Sequence, residues 1–128
     1  MAAADTLKVV DASAIVALLF AEAQAAQVAD RLAGTDLIAP ALLDFELANV
    51  CLTKMRRDPP RRVGYLAAYH GRAALRIGIC EVDQGRALEL AERTGLSGYD
   101  ASYLWLARTL GAELVTLDQK LATAARAR

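Results

Sequence analysis

Four acidic residues stand where a folded chain can bring carboxylates together: Asp11, Glu46, Asp100 and Asp118. Asp11 directly follows the apolar run Leu7-Lys8-Val9-Val10, and Asp118 directly follows Leu114-Val115-Thr116-Leu117. Both runs read as short buried strands, so each Asp falls at a strand's carboxyl end. Each Asp also precedes a helical stretch, as does Asp100 in Gly98-Tyr99-Asp100-Ala101-Ser102-Tyr103, which makes helix capping the alternative role for all three. Glu46 lies well past the first turn of its helix and shares a face with Leu42, Leu43, Asn49 and Val50. A carboxylate among apolar neighbours needs a partner, unless that face is exposed. Carboxylates that converge without cations of their own repel one another until a cation sits between them. Hard divalent ions such as Mg²⁺ take oxygen ligands and pair with phosphate oxygens. The chemistry implied is metal-assisted phosphodiester hydrolysis, in which the ion activates water and stabilises the departing oxygen. Spacing alone leaves open whether the four acids meet.

The elements that must position them alternate along the chain. Strands are expected at residues 7–10, at Leu37-Ile38-Ala39, within residues 77–82 and at Leu114-Val115-Thr116. Helices are expected over 12–20, 22–33 with a stop at Gly34, 40–57 with Pro40 in its first turn, 60–76, 84–94, 100–110 and 118–126. Four short strands separated by about seven helices imply crossovers, a parallel sheet and helices on both faces: an α/β/α sandwich. In such a sheet, ligands bind beyond the carboxyl ends of the strands, where Asp11 and Asp118 fall. The Ala-rich ends, residues 1–4 and 122–128, are expected to fray.

The chain has 128 residues, a single-domain length, and is 55% hydrophobic, enough for a core without a metal staple. Its 28 Ala and 20 Leu against 12 Val plus Ile favour helix over an all-β fold. The net charge of +0 excludes a protein that coats nucleic acid by bulk charge. Cys51, Cys80 and the lone His70 form no zinc motif and no Cys-His pair, and a reduced, cytoplasmic protein is expected. No secretory signal and no membrane-spanning run is read.

With these motifs identified, the sequence resembles a known family. Val9-Val10-Asp11-Ala12-Ser13-Ala14, Glu46-Leu47-Ala48-Asn49-Val50, Tyr99-Asp100-Ala101-Ser102-Tyr103 and Leu114-Val115-Thr116-Leu117-Asp118 are similar, in order and spacing, to the four motifs of PIN domains. The nearest likeness is to VapC-type toxins of type II toxin–antitoxin systems. That resemblance implies one PIN domain over residues 1–128 with the α/β/α fold. It implies a Mg²⁺- or Mn²⁺-dependent endoribonuclease whose acidic site is Asp11, Glu46, Asp100 and Asp118. Ser13 and Thr116 would supply hydroxyls that orient ligands or water, and Asn49, one turn after Glu46, would support it in the same way. The family further implies an RNA substrate, a homodimer and inhibition by a cognate VapB-like antitoxin.

Residues 54–76 hold seven basic residues and one acid, a local charge of +6. On a helix running from Pro60, Arg61, Tyr65, Tyr69, Arg72 and Arg76 share one stripe, a pattern suited to phosphate contact and base stacking. Together with Arg56, Arg57 and Arg62 these are candidate RNA or partner contacts, a solvated face being the alternative. Tyr99 and Tyr103 flank Asp100 and could shape a substrate groove, but Tyr103 also fits the apolar face with Leu106, Ala107 and Leu110, and packing is the favoured role. The rival function is a non-catalytic PIN-like protein-binding module, which has no need of a repelling acidic cluster.

Overall fold

The computed structural model describes residues 6–127. Within them lie four strands and seven α-helices. In chain order these are β1 (Leu7–Val10), α1 (Ala12–Leu19), α2 (Ala25–Leu32), β2 (Asp36–Pro40), α3 (Leu42–Arg57), α4 (Arg62–His70), β3 (Gly78–Cys80), α5 (Gln84–Thr94), α6 (Gly98–Leu110), β4 (Glu113–Val115) and α7 (Gln119–Arg126). The strands form one sheet in the order β3-β2-β1-β4, and every pairing is parallel. Helices cover both faces, giving the α/β/α sandwich. The helix α6 packs on β1, β2 and β4, while α3 packs on β2, α1 and α4.

The strands are short, three to five residues each, and the core runs through the middle of the sheet. Val9, Val10, Ala39 and Val115 are buried, and Leu43, Leu47, Tyr103 and Leu104 close over them from α3 and α6. Burying apolar side chains of this size contributes about 1.5–3 kcal/mol each. At the amino edge, Glu113 at the start of β4 accepts from Arg31 at 2.7 Å and meets Lys8 of β1 at 3.2 Å. The Arg31 bond, with help from Lys8, holds the Glu113 carboxyl below the usual range.

Four expectations are corrected. The helix expected over 60–76 is a 3-10 turn at Pro59–Arg61, then α4, then a second 3-10 turn at Gly71–Leu75. Arg76 closes the run with φ +51, a left-handed conformation that ends helical continuation. Pro40 ends β2 opposite Cys80 instead of opening a helix, and α3 starts at Leu42. A strand end tolerates Pro because few further ladder bonds need its missing N–H. The second helix starts at Ala25, three residues later than expected, since Ala21 takes φ +51. Helix α6 starts at Gly98, capped by Ser97, so Asp100 lies inside its first turn. Of the ends expected to fray, 1–4 lie outside the described residues, and 122–126 are helical in α7.

Candidate active site

Strand order places the site. Chain progress from β1 runs through β2 to β3 on one side, and β4 joins β1 on the other. The strand order reverses between β1 and β4, and in sheets of this kind ligands bind beyond the carboxyl ends of the strands at that point. The register Val10↔Val115 brings the next residues, Asp11 and Thr116, side by side.

Asp11 is buried and bound on both oxygens. Oδ1 accepts from Ser13 Oγ at 2.7 Å and from the Ala14 N–H at 3.1 Å, and Oδ2 accepts from Thr116 Oγ1 at 2.6 Å. Each hydroxyl has a single proton, so donation to Asp11 leaves each oxygen to accept. Ser13 Oγ then accepts from the Leu117 N–H at 2.8 Å, and Thr116 Oγ1 from the Asp118 N–H at 3.0 Å. One network thus locks the β1 and β4 ends together. Capping and clustering prove compatible: Asp11 caps α1 through the Ala14 bond, and Asp118 caps α7 by accepting from Leu121 N at 2.8 Å. Asp100 is not a cap. Ser97 Oγ accepts from its N–H at 3.1 Å, so the Asp100 carboxylate takes no part in the cap and lies within electrostatic reach of Asp118, Asp11 and Glu46.

The four acids feel one another. Burial pushes the Asp11 carboxyl up, more than its hydrogen bonds to Thr116, Ser13 and Ala14 pull it down, and the Asp100 charge adds to the rise. Burial also raises Glu46 against the lowering pull of its bond from Tyr103, and the charges of Asp100 and Asp11 add to the rise. Burial raises Asp100, followed by the charge of Asp118, with Lys120 opposing. Lys120 is held at the rim, its Nζ donating to the Gly95 carbonyl at 2.7 Å.

Asn49, expected to support Glu46, is exposed and makes no hydrogen bond to it among the described residues. The support comes from Tyr103, whose Oη donates to Glu46 Oε1 at 2.5 Å. Tyr103 packs in the core as expected, but its hydroxyl reaches the site as well. Burial, then the bond to Glu46 and the nearby carboxylates, push the phenol far above its ordinary range, so it stays a donor. The available sequence signal was spacing: Tyr103 follows Asp100 by three residues on one helix.

A family model described as PIN domain matches residues 8–127. The chain belongs to the PIN domain family. It is similar to VapC ribonuclease Mb0985 of Mycobacterium bovis at 36% identity over 131 aligned positions, covering 93% of this chain and 91% of that protein. Ribonuclease VapC9 of Mycobacterium tuberculosis matches with the same identity and coverage. The crystal structure of PAE2754 from Pyrobaculum aerophilum superposes with a TM-score of 0.71 at 26% identity, covering 94% of this chain and 87% of that one.

The acidic cluster of this PIN domain fits a hard divalent ion. Three of its carboxyls, Asp11, Glu46 and Asp100, are raised by burial and by the charges of neighbouring acids, the opposite of what settled ion pairs do. Among the described residues, no three His, Cys, Asp or Glu side chains form a ready metal cage. An ion such as Mg²⁺, which keeps several waters and takes only one or two carboxylates, does not need three preformed ligands.

The candidate contact stripe comes apart in the PIN fold. Arg72 Nε pairs with Asp44 at 2.8 Å, and Tyr65 Oη donates to Asp58 at 3.3 Å. Tyr65 also stacks edge-on against Phe20, and Tyr69 packs on the core. Arg61 meets Asp58 at 3.5 Å yet stays exposed, as do Arg56, Arg57, Arg62 and Arg76. Helix breaks at Pro59–Arg61 and Gly71–Leu75 remove the single stripe.

Proposed function

We propose that this PIN domain is the toxin of a type II toxin–antitoxin pair, a Mg²⁺- or Mn²⁺-dependent endoribonuclease. The observation that carries the reading is the charge-coupled cluster of Asp11, Glu46, Asp100 and Asp118 at the carboxyl edge of the sheet. The ribonuclease names of the two mycobacterial relatives support it. On this reading residues 1–128 form one domain, which works in the cytoplasm as a homodimer and is inhibited by a cognate VapB-like antitoxin. No helix among the described residues is long and apolar enough to cross a membrane. Exposed Phe45 and Val63 offer apolar surface to protein partners.

Asp11, Glu46, Asp100 and Asp118 would hold the ion. When bound, it supplies Lewis-acid polarisation of a phosphate and activation of water. The chain's own part is orientation. Ser13 and Thr116 keep Asp11 from rotating, and the Ala14 and Leu121 N–H groups hold Asp11 and Asp118 at their helix starts. The one His, His70, is exposed on α4, so proton transfer falls to carboxylates or solvent.

The test joins cleavage to ion-dependent stability. Folded-state carboxyls raised above their unfolded values stabilise the ion-free protein below the ordinary carboxylate range. That contribution is lost as pH rises through the raised values. Mg²⁺ or Mn²⁺ should therefore raise the melting temperature more at pH 8 than at pH 5, because the ligands must be deprotonated. An ion at 100 times its Kd adds about 2.7 kcal/mol. Structured RNA should be cut only with the ion present. Cleavage that survives chelation sinks the proposal, and ion-dependent stabilisation without cleavage favours the binding-module alternative.

The exposed arginines carry a separate prediction. Arg57 lies about 16 Å along α3 from Glu46, at a rise of about 1.5 Å per residue, close enough for one strand of RNA to touch both regions. Arg61→Ala/Arg62→Ala should weaken RNA binding and flatten its salt dependence by about 1.4 in log–log slope, the scale for two single-strand phosphates. Unchanged RNA binding with weaker dimer or antitoxin binding would assign the segment to a protein interface.

A further inference from the structure

We propose that Tyr103 is a positioning residue that holds Glu46 for the divalent ion, an inference that rests on the metal-dependent reading of the cluster. Its Oη donates to Glu46 Oε1 at 2.5 Å, joining α6 to α3 across 57 positions of sequence. That length is in the range of charge-assisted O–H···O⁻ bonds, the stronger class of hydrogen bond.

The donor is rigid and the acceptor is not. Tyr103 is 1% exposed, its ring fixed in the core of a helix packed on three strands. Glu46 is half-buried on a flexible stem and has no Lys or Arg partner among the described residues. Without the phenol, its carboxylate would turn away from the charges of Asp11 and Asp100, which repel it. The bond to Tyr103 holds it toward them. Asp100 and Tyr103 lie three residues apart on α6, so a single helix both supplies one acid and orients another. An ion arriving at the cluster then finds Glu46 already in place. The preorganisation resembles the outer hydrogen bonds that orient metal-ligating side chains generally, whose loss costs 10–100-fold in affinity or activity.

Tyr103→Phe removes the hydroxyl and keeps the ring. Mn²⁺ titration of the purified variant, with free ion counted by electron paramagnetic resonance, should show a Kd raised about 10-fold. The kcat for RNA cleavage should fall by a similar factor while the KM for RNA is unchanged. In a Glu46→Gln background, Tyr103→Phe should change Mn²⁺ affinity no further, because the carboxylate it positions is gone. Glu46→Asp, which draws the carboxylate back by one methylene and leaves α3 intact, provides a second route: it should lose Mn²⁺ affinity and become insensitive to Tyr103→Phe. Unchanged Mn²⁺ affinity in Tyr103→Phe overturns the positioning role and leaves the cluster reading intact. Wild-type protein that takes up no Mn²⁺ overturns both.

Discussion

Asp100→Asn should lower RNA cleavage on the order of 10³-fold, the scale of losing one preorganised electrostatic group, while leaving the ion-free protein at least as stable as wild type. The two halves of that result have one cause. The Asp100 carboxylate takes no part in capping α6, because Ser97 accepts from the Asp100 N–H and an Asn keeps that N–H. What the substitution removes is a negative charge that burial and Asp118 both disfavour. A first-turn Asp gains something from the helix dipole, typically 0.3–1 kcal/mol, but the upward direction of its carboxyl says that burial and repulsion win. The melting temperature of ion-free Asp100→Asn should therefore exceed wild type at pH 8, and the gap should close in acid, where the native carboxyl is protonated as well. Added Mn²⁺ should reverse the order, stabilising wild type more. Full cleavage by the variant, or a large stability loss without ion, would remove Asp100 from the site.

Thr116→Val should cost about 2–3 kcal/mol of stability, the range for a hydrogen bond to a charged group that leaves a buried partner unsatisfied. Valine matches threonine in shape, so no cavity opens and the loss isolates the hydroxyl. That hydroxyl donates to Asp11 Oδ2 at 2.6 Å and accepts from the Asp118 N–H at 3.0 Å, so both groups lose a partner. For a chain of this size the melting temperature should drop by roughly 6–12 °C. The deficit should shrink in acid, because the Thr116 bond pulls the Asp11 carboxyl down and favours its charged form. Thr116→Ser keeps the hydroxyl and should recover most of the difference. A Val variant that melts with wild type would show that the network does not hold the β1 and β4 ends together.

The elements were legible where their signals are local. Short apolar runs marked β1 and β4, and an Asp after each marked a helix start, because an N-cap needs only its own next three residues. The helix expected over 60–76 is regular only over Arg62–His70: it tightens to a 3-10 turn at Gly71–Leu75, where Arg72 pairs with Asp44 on α3, and ends at Arg76, whose left-handed conformation no composition signal announces. Asn49 looked like the support for Glu46 because helical spacing puts the two on neighbouring positions. It points to solvent instead, and the hydroxyl that reaches Glu46 comes from another helix.

By itself, then, the sequence determined which residues are acids at element ends, which faces are apolar, and which family the motifs resemble. Only the tertiary structure decided which of these groups touch. Thr116 reaches Asp11 across 105 positions because parallel pairing sets Val10 against Val115. Tyr103 reaches Glu46 because α6 and α3 meet at the same edge. Periodicity reports the direction of a side chain relative to its own element. Contact between elements depends on register and packing, which arise only when the sheet assembles around its core.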